Sequence, residues 1–128
     1  MKKKLLIVDD AVSMLLLLKK YFEYKYDVVT YKSVNDAIQY LENSYDLPDL
    51  IISDLNLGDV SGEDFVKYLK SVPKTEHIPT FILTSNEQSS VRVKFLKLGV
   101  DDILIKPFNF EELSLRIENI IKRYSLVK

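Results

Sequence analysis

Five polar side chains stand at the ends of short apolar runs. Asp9 and Asp10 follow Leu5–Val8, Asp54 closes Leu50-Ile51-Ile52-Ser53-Asp54, Thr84 closes Thr80–Thr84, and Lys106 follows Ile103-Leu104-Ile105. Runs of this length read as buried strands. Three clustered carboxylates raise each other's pKa and cannot all stay ionised unaided. A divalent cation resolves this. Magnesium takes oxygen ligands, accepts one or two carboxylates and keeps positions for water and phosphate oxygens. An aspartate beside such an ion can attack phosphorus to give an aspartyl phosphate, a reaction that depends mainly on positioning and charge neutralisation. Lys106, a compact point charge, suits a phosphate oxygen, and Thr84 offers a hydroxyl donor. Asp54 is the expected phosphoacceptor.

Each residue alone has a plainer reading. An aspartate after a strand is usually a helix cap, a threonine at a strand end is usually a cap or β-branched filler, and a lysine there is usually solvated. What favours chemistry is coincidence at four strand ends, provided the fold makes those ends neighbours.

The elements between them supply that condition. Ala11 to about Tyr24 contains no Gly or Pro and reads as a helix, and Asp27–Tyr31 is β-branched and aromatic, hence a strand. Ser33 can cap a second helix whose Val34, Ala37, Ile38 and Leu41 share one face. Gly58 and Gly62 follow Asp54 in a turn; Phe65, Val66 and Leu69 then form a helical stripe that Pro73 ends. Val91-Arg92-Val93-Lys94-Phe95 alternates like a strand, but Val91, Phe95 and Leu98 also fit a helix, and Gly99 stands where a helix C-terminus places its left-handed residue. A helix is expected over 89–98. Asn109 and Glu112 make a capping-box-like start for a last helix lined by Leu113, Ile117, Ile120, Ile121 and Tyr124.

Five strands alternating with helices predict an α/β fold with a mostly parallel, doubly wound sheet. The strands are expected to be apolar on one side. With the order 2-1-3-4-5 the second strand, which ends on Tyr31-Lys32 without a carboxylate, is an edge, and the other four ends line one rim beside the crevice where ligands bind.

Composition excludes several alternatives. The chain has 128 residues, enough for one domain, a formal net charge of −1 and no cysteine. There is thus no basic footprint for nucleic acid, and no disulfide, thiolate catalysis or thiolate metal site. The run after Met1-Lys2-Lys3-Lys4 is too short for a signal peptide and enters Asp9-Asp10 directly. No run approaches the roughly 20 apolar residues of a membrane span, so a cytoplasmic location is expected. No glycine-rich nucleotide-binding motif occurs, and His77, the single histidine, reads as structural in its Thr-Glu-His-Ile-Pro loop.

The combined motifs Leu6-Ile7-Val8-Asp9-Asp10, Ile52-Ser53-Asp54-Leu55, Gly62, Leu83-Thr84-Ser85 and Lys106-Pro107-Phe108 resemble those of the receiver domain of two-component response regulators, of the chemotaxis single-domain type. The resemblance covers essentially residues 1–128 and implies a flavodoxin-like fold with five helices around the sheet. It implies that Asp54 is phosphorylated from a phosphohistidine on a histidine kinase or histidine phosphotransfer protein, that Mg2+ (or Mn2+) is held by Asp10 and Asp54 directly, by Asp9 mainly through water and by the Asn56 backbone carbonyl, and that Thr84 and Lys106 contact the phosphoryl group. The Lys106–Pro107 bond is commonly cis in such proteins. Output is expected through a downstream protein on the face of the fourth helix, fifth strand and fifth helix. Small esters are not expected as substrates, since the Asp-x-Asp pair of haloacid-dehalogenase-like phosphohydrolases is absent.

Three departures from that family stand out. Ile103 occupies a position often aromatic and used as a switch, bulky Phe95 and Leu98 stand where small residues are usual, and Gly58 replaces a common Pro. Bulk from the fourth helix is expected to compensate at Ile103. In the first helix, Met14, Leu17, Leu18 and Tyr21 make a core stripe, which leaves Leu15 and Leu16 outward near Asp10. These two form a candidate docking patch for a helical phosphotransfer partner or a second copy of the chain. The chain is expected to act as a stand-alone receiver, with no linker or DNA-binding module after Tyr124.

Overall fold

A computed structural model describes residues 2–55 and 61–126. Five strands and five helices alternate: β1 (Lys4–Val8), α1 (Val12–Phe22), β2 (Asp27–Tyr31), α2 (Val34–Asn43), β3 (Leu50–Asp54), α3 (Gly62–Ser71), β4 (Thr80–Thr84), α4 (Ser89–Leu98), β5 (Asp102–Ile105) and α5 (Phe110–Leu126). All pairings are parallel and the order is β2-β1-β3-β4-β5. This is the doubly wound arrangement expected. The order reverses between β1 and β3, which opens the crevice beside Asp54.

Successive residues of β1 serve opposite layers, as the two-residue period of a strand requires. Leu5 and Ile7 pack with Leu18, Phe22, Leu113 and Ile117, under α1 and α5. Leu6 and Val8 pack with Val34, Leu41, Phe65 and Leu69, under α2 and α3. A third cluster, Val66, Ile82, Phe95 and Val100, seats α4. Every residue of β3 and β4 is buried. The central strands are therefore covered on both sides, contrary to the one-sided apolarity expected, because crossover helices occupy both faces of a parallel sheet.

Local signals set the helix ends. Ser33 Oγ accepts from the Asp36 N–H (3.2 Å) and Ser61 Oγ from the Asp64 N–H (3.1 Å). Asn109 Oδ1 accepts from the Glu112 N–H at 2.9 Å. Gly99, at φ 102°, gives α4 its left-handed C-cap, which settles the ambiguous segment as a helix.

One expectation in α1 is corrected. The buried stripe is Leu15, Leu18 and Phe22, not Met14, Leu17, Leu18 and Tyr21. Leu15 is 8% exposed, whereas Leu16 and Leu17 are 64% and 53% exposed. Four consecutive leucines leave the helical phase open, and Phe22, seven residues after Leu15, sets it. Met14 and Tyr21 are only partly buried, Tyr21 with its ring against Phe110. The helix also ends at Phe22, where a turn donates the Lys25 and Tyr26 N–H groups to the Phe22 carbonyl and returns Tyr26 to the core.

Candidate functional site

The carboxyl ends of β1, β3, β4 and β5 bring Asp9, Asp54, Thr84 and Lys106 together. Asp9 is buried directly beyond β1, and its N–H reaches the Tyr31 carbonyl at 3.2 Å. One carboxylate oxygen, Oδ1, accepts from the Ala11 N–H at 2.9 Å, an Asx turn that leads the chain toward α1. The other, Oδ2, accepts from Lys106 Nζ at 3.2 Å. Asp9 is thus not a side-chain helix cap: one oxygen holds the turn before α1 and the other faces Lys106. Asp10 is exposed.

Asp54 is 7% exposed. Its Oδ1 accepts from the Leu55 N–H at 2.8 Å and lies 3.4 Å from Lys106 Nζ. One carboxylate oxygen from each of Asp9, Asp10 and Asp54 can be chosen so that all three lie within 4.8 Å of one another. Burial pushes the Asp54 carboxyl above the usual carboxylate range, the Asp9 charge adds to this, and Lys106 opposes it. A single lysine does not compensate three acids, so the donor set fits a hard divalent cation: all oxygen, clustered and short of positive charge. Asp9, Asp10 and Asp54 would hold such an ion, whose contribution when bound is to neutralise charge on phosphoryl oxygens.

Thr84 is also buried. Its hydroxyl oxygen accepts from the Asn86 N–H at 3.0 Å, and its carbonyl accepts from the Lys106 N–H at 2.7 Å. The hydroxyl proton is not spent in that bond, so Thr84 can still donate. The Lys106–Pro107 peptide is cis, as the resemblance implied. Ile103 is partly buried and packs against the cluster of Val66, Ile82, Phe95 and Val100, on which Val91 and Leu98 also rest. Asn56 and Gly58 lie outside the described residues.

Leu16 is exposed on the α1 surface, but Leu15 is not, so the docking patch cannot comprise that pair. The outward apolar residues are Val12, Leu16 and Leu17. His77 is exposed in the loop before β4. A cavity of about 220 Å3 beside it, lined by Pro48, Ile121 and Tyr124 among others, lies at the opposite end of the sheet and touches none of the site residues. Sequence reasoning missed the backbone donors, namely the N–H groups of Ala11, Leu55 and Asn86 that aim Asp9, Asp54 and Thr84. Main-chain donors leave no residue-type signature.

Comparisons with known proteins converge on this geometry. The family model described as the response regulator receiver domain matches residues 5–118. Response regulator SaeR of Staphylococcus aureus is 38% identical over 120 residues, covering 93% of this chain and 50% of SaeR. A histidine kinase of Formosa agariphila is 31% identical over 127 residues, which is 99% of this chain but 9% of the kinase. The chain therefore spans half or less of these curated relatives. The crystal structure of the signal receiver domain of a LuxO repressor protein from Vibrio parahaemolyticus superposes with TM-score 0.87 at 32% identity, covering 98% of this chain and 95% of that one. A chemotaxis response regulator of Vibrio cholerae superposes with TM-score 0.85 at 26% identity, covering 94% and 99% of the two chains. On its strand order, its rim of acids and lysine and these matches, the chain belongs to the response regulator receiver domain family.

Proposed function

We propose that the receiver, spanning residues 1–128, is switched by phosphorylation of Asp54, with Mg2+ held by Asp9, Asp10, Asp54 and the Asn56 backbone carbonyl. The observation that carries this reading is Lys106 Nζ, placed 3.2 Å from Asp9 and 3.4 Å from Asp54 at a rim that also holds Asp10. In the transfer, an Asp54 oxygen forms a bond to phosphorus as the phosphorus–nitrogen bond of a donor phosphohistidine breaks, and the electron pair leaves with the imidazole. Lys106 neutralises charge on the moving group, and the Thr84 hydroxyl donates to one of its oxygens. Receiver domains are generally switches without a separate substrate, and nothing further is required of this rim.

The donor is a histidine kinase or histidine phosphotransfer protein in the cytoplasm. It docks where α1 leaves Leu16 and Leu17 exposed near Asp10; a second copy of the chain would compete for the same surface. Output passes from Thr84 through Ile103 and α4 to a downstream protein on the α4–β5–α5 face. If Ile103→Ala leaves phosphorylation-dependent NMR shifts of α4 unchanged, position 103 carries little of the switch.

The direct test is incubation with Mg2+ and acetyl phosphate followed by mass spectrometry. The expected result is a single phosphate adduct that Asp54→Asn abolishes. An adduct that survives in D54N, or none from acetyl phosphate or any phosphohistidine donor, sinks the reading. For docking, Leu16→Lys/Leu17→Lys should slow transfer from a phosphotransfer protein and leave acetyl phosphate kinetics unchanged.

A further inference from the structure

Gly62 opens α3, and its N–H donates to the Leu55 carbonyl at 3.0 Å. A Cβ placed on Gly62 would lie 2.8 Å from Leu55 Cα, 2.8 Å from the Leu55 carbonyl oxygen and 2.9 Å from the Asp54 carbonyl oxygen. All three atoms are main chain, so no side-chain rotation could relieve the contact. Both flanks are fixed. β3 is hydrogen-bonded between β1 and β4, and α3 is anchored by buried Phe65, Val66 and Leu69 and by the Ser61 cap. A side chain here would press on the Asp54–Leu55 peptide, whose carbonyl accepts from Ser53 Oγ and whose N–H donates to the Leu83 carbonyl.

That peptide aims the phosphoacceptor. The Leu55 N–H is shared between the Leu83 carbonyl of β4 (3.1 Å) and Asp54 Oδ1 (2.8 Å), and the same Oδ1 faces Lys106 Nζ. Tilting the Leu55 peptide would turn the carboxylate away from the lysine, and nucleophilic transfer is sensitive to displacements of this order.

We infer that Gly62 is a positioning residue for phosphoryl transfer: its bare Cα lets α3 close on Leu55 so that the Leu55 N–H and Lys106 hold one oxygen of Asp54 in the attacking orientation. The inference rests on Asp54 as the phosphoacceptor.

The test measures the acetyl phosphate rate constant at saturating Mg2+ for wild type, Gly62→Ala and Val66→Ala, with the melting temperature of each. Val66→Ala removes core volume from the same helix without crowding Leu55. Gly62→Ala is expected to lower the rate constant by about tenfold or more, to move the Leu55 amide resonance, and to fall well below Val66→Ala when compared at equal folded fraction. Equal rates in the two variants, or an unmoved Leu55 amide in G62A, would overturn the positioning role while leaving Asp54 as acceptor. A wild type that takes up no phosphate on Asp54 overturns both. If Gly62→Ala populates unfolded chain, the same measurements in trimethylamine N-oxide, which favours the compact state, restore the comparison.

Discussion

Both ends of the sheet carry aspartates in or beside the strands, and they use them in opposite ways. At the amino end, Asp49 accepts from the Lys4 N–H at 2.8 Å and donates its own N–H back to the Lys4 carbonyl at 2.8 Å. Asp101 repeats the device with Thr80, at 2.9 and 2.8 Å, and its second oxygen accepts from the Tyr124 hydroxyl at 2.9 Å. Each of these acids closes a strand start. At the carboxyl end, Asp9 and Asp54 share one lysine, Asp10 stands beside them, and the Asp54 carboxyl is pushed up by burial and by Asp9. The two aspartates at the strand starts each exchange a pair of hydrogen bonds with a residue of the neighbouring strand. Those at the carboxyl rim outnumber the one lysine that reaches them.

The contrast makes opposite predictions at the two ends. Asp101→Ala should have the largest effect on folding, about 2–3 kcal/mol by urea unfolding, because it strands the buried Thr80 N–H as well as removing the Tyr124 bond. The phosphorylation rate of the folded fraction should stay near wild type. Asp54→Asn should act with the other sign. Without metal it should stabilise by on the order of 1 kcal/mol, since an amide relieves the crowding of buried like charges; a destabilised D54N would mean that Asp54 is structural after all. Adding Mg2+ should raise the melting temperature of wild type and have a smaller effect on D54N, because a ligand stabilises only the state it binds.

Tyr124→Phe is expected to cost about 1 kcal/mol, the usual net worth of one hydrogen bond. It also carries a pH signature. Burial and the Asp101 carboxylate push the Tyr124 phenol up from 10.0 to about 12. A folded-state pKa above the unfolded one gives stability that is complete below pH 10 and is lost as pH rises from there toward 12. The gap between wild type and Y124F should therefore narrow across that window in urea titrations. A constant gap would show that the phenol does not hold its proton more tightly in the folded chain.

Much of this was legible in the sequence because strand ends are well punctuated. Pro48 and Pro79 bracket β3 and β4 so closely that Leu50–Asp54 and Thr80–Thr84 were bounded correctly. Gly99 resolved α4 although Val91-Arg92-Val93-Lys94-Phe95 alternates like a strand. The chemistry-bearing side chains were readable for the same reason: topology turns strand ends into neighbours. The phase of α1 was not readable, because Leu15 to Leu18 fit two stripes equally and only packing against the sheet selects Leu15, Leu18 and Phe22. Nor were the groups that aim the acids, since an amide such as that of Leu55 belongs to every residue type except proline. Patterning reports which side chains share a surface; it does not report how the main chain turns them.

The bond from Lys106 to Asp9 joins residues 97 positions apart, and the rim also draws on β3 and β4 between them. No fragment of the chain lacking one of these four strands can assemble it. A nascent or partly unfolded chain would present Asp54 without Lys106 beside it, so the rim is complete only when folding is.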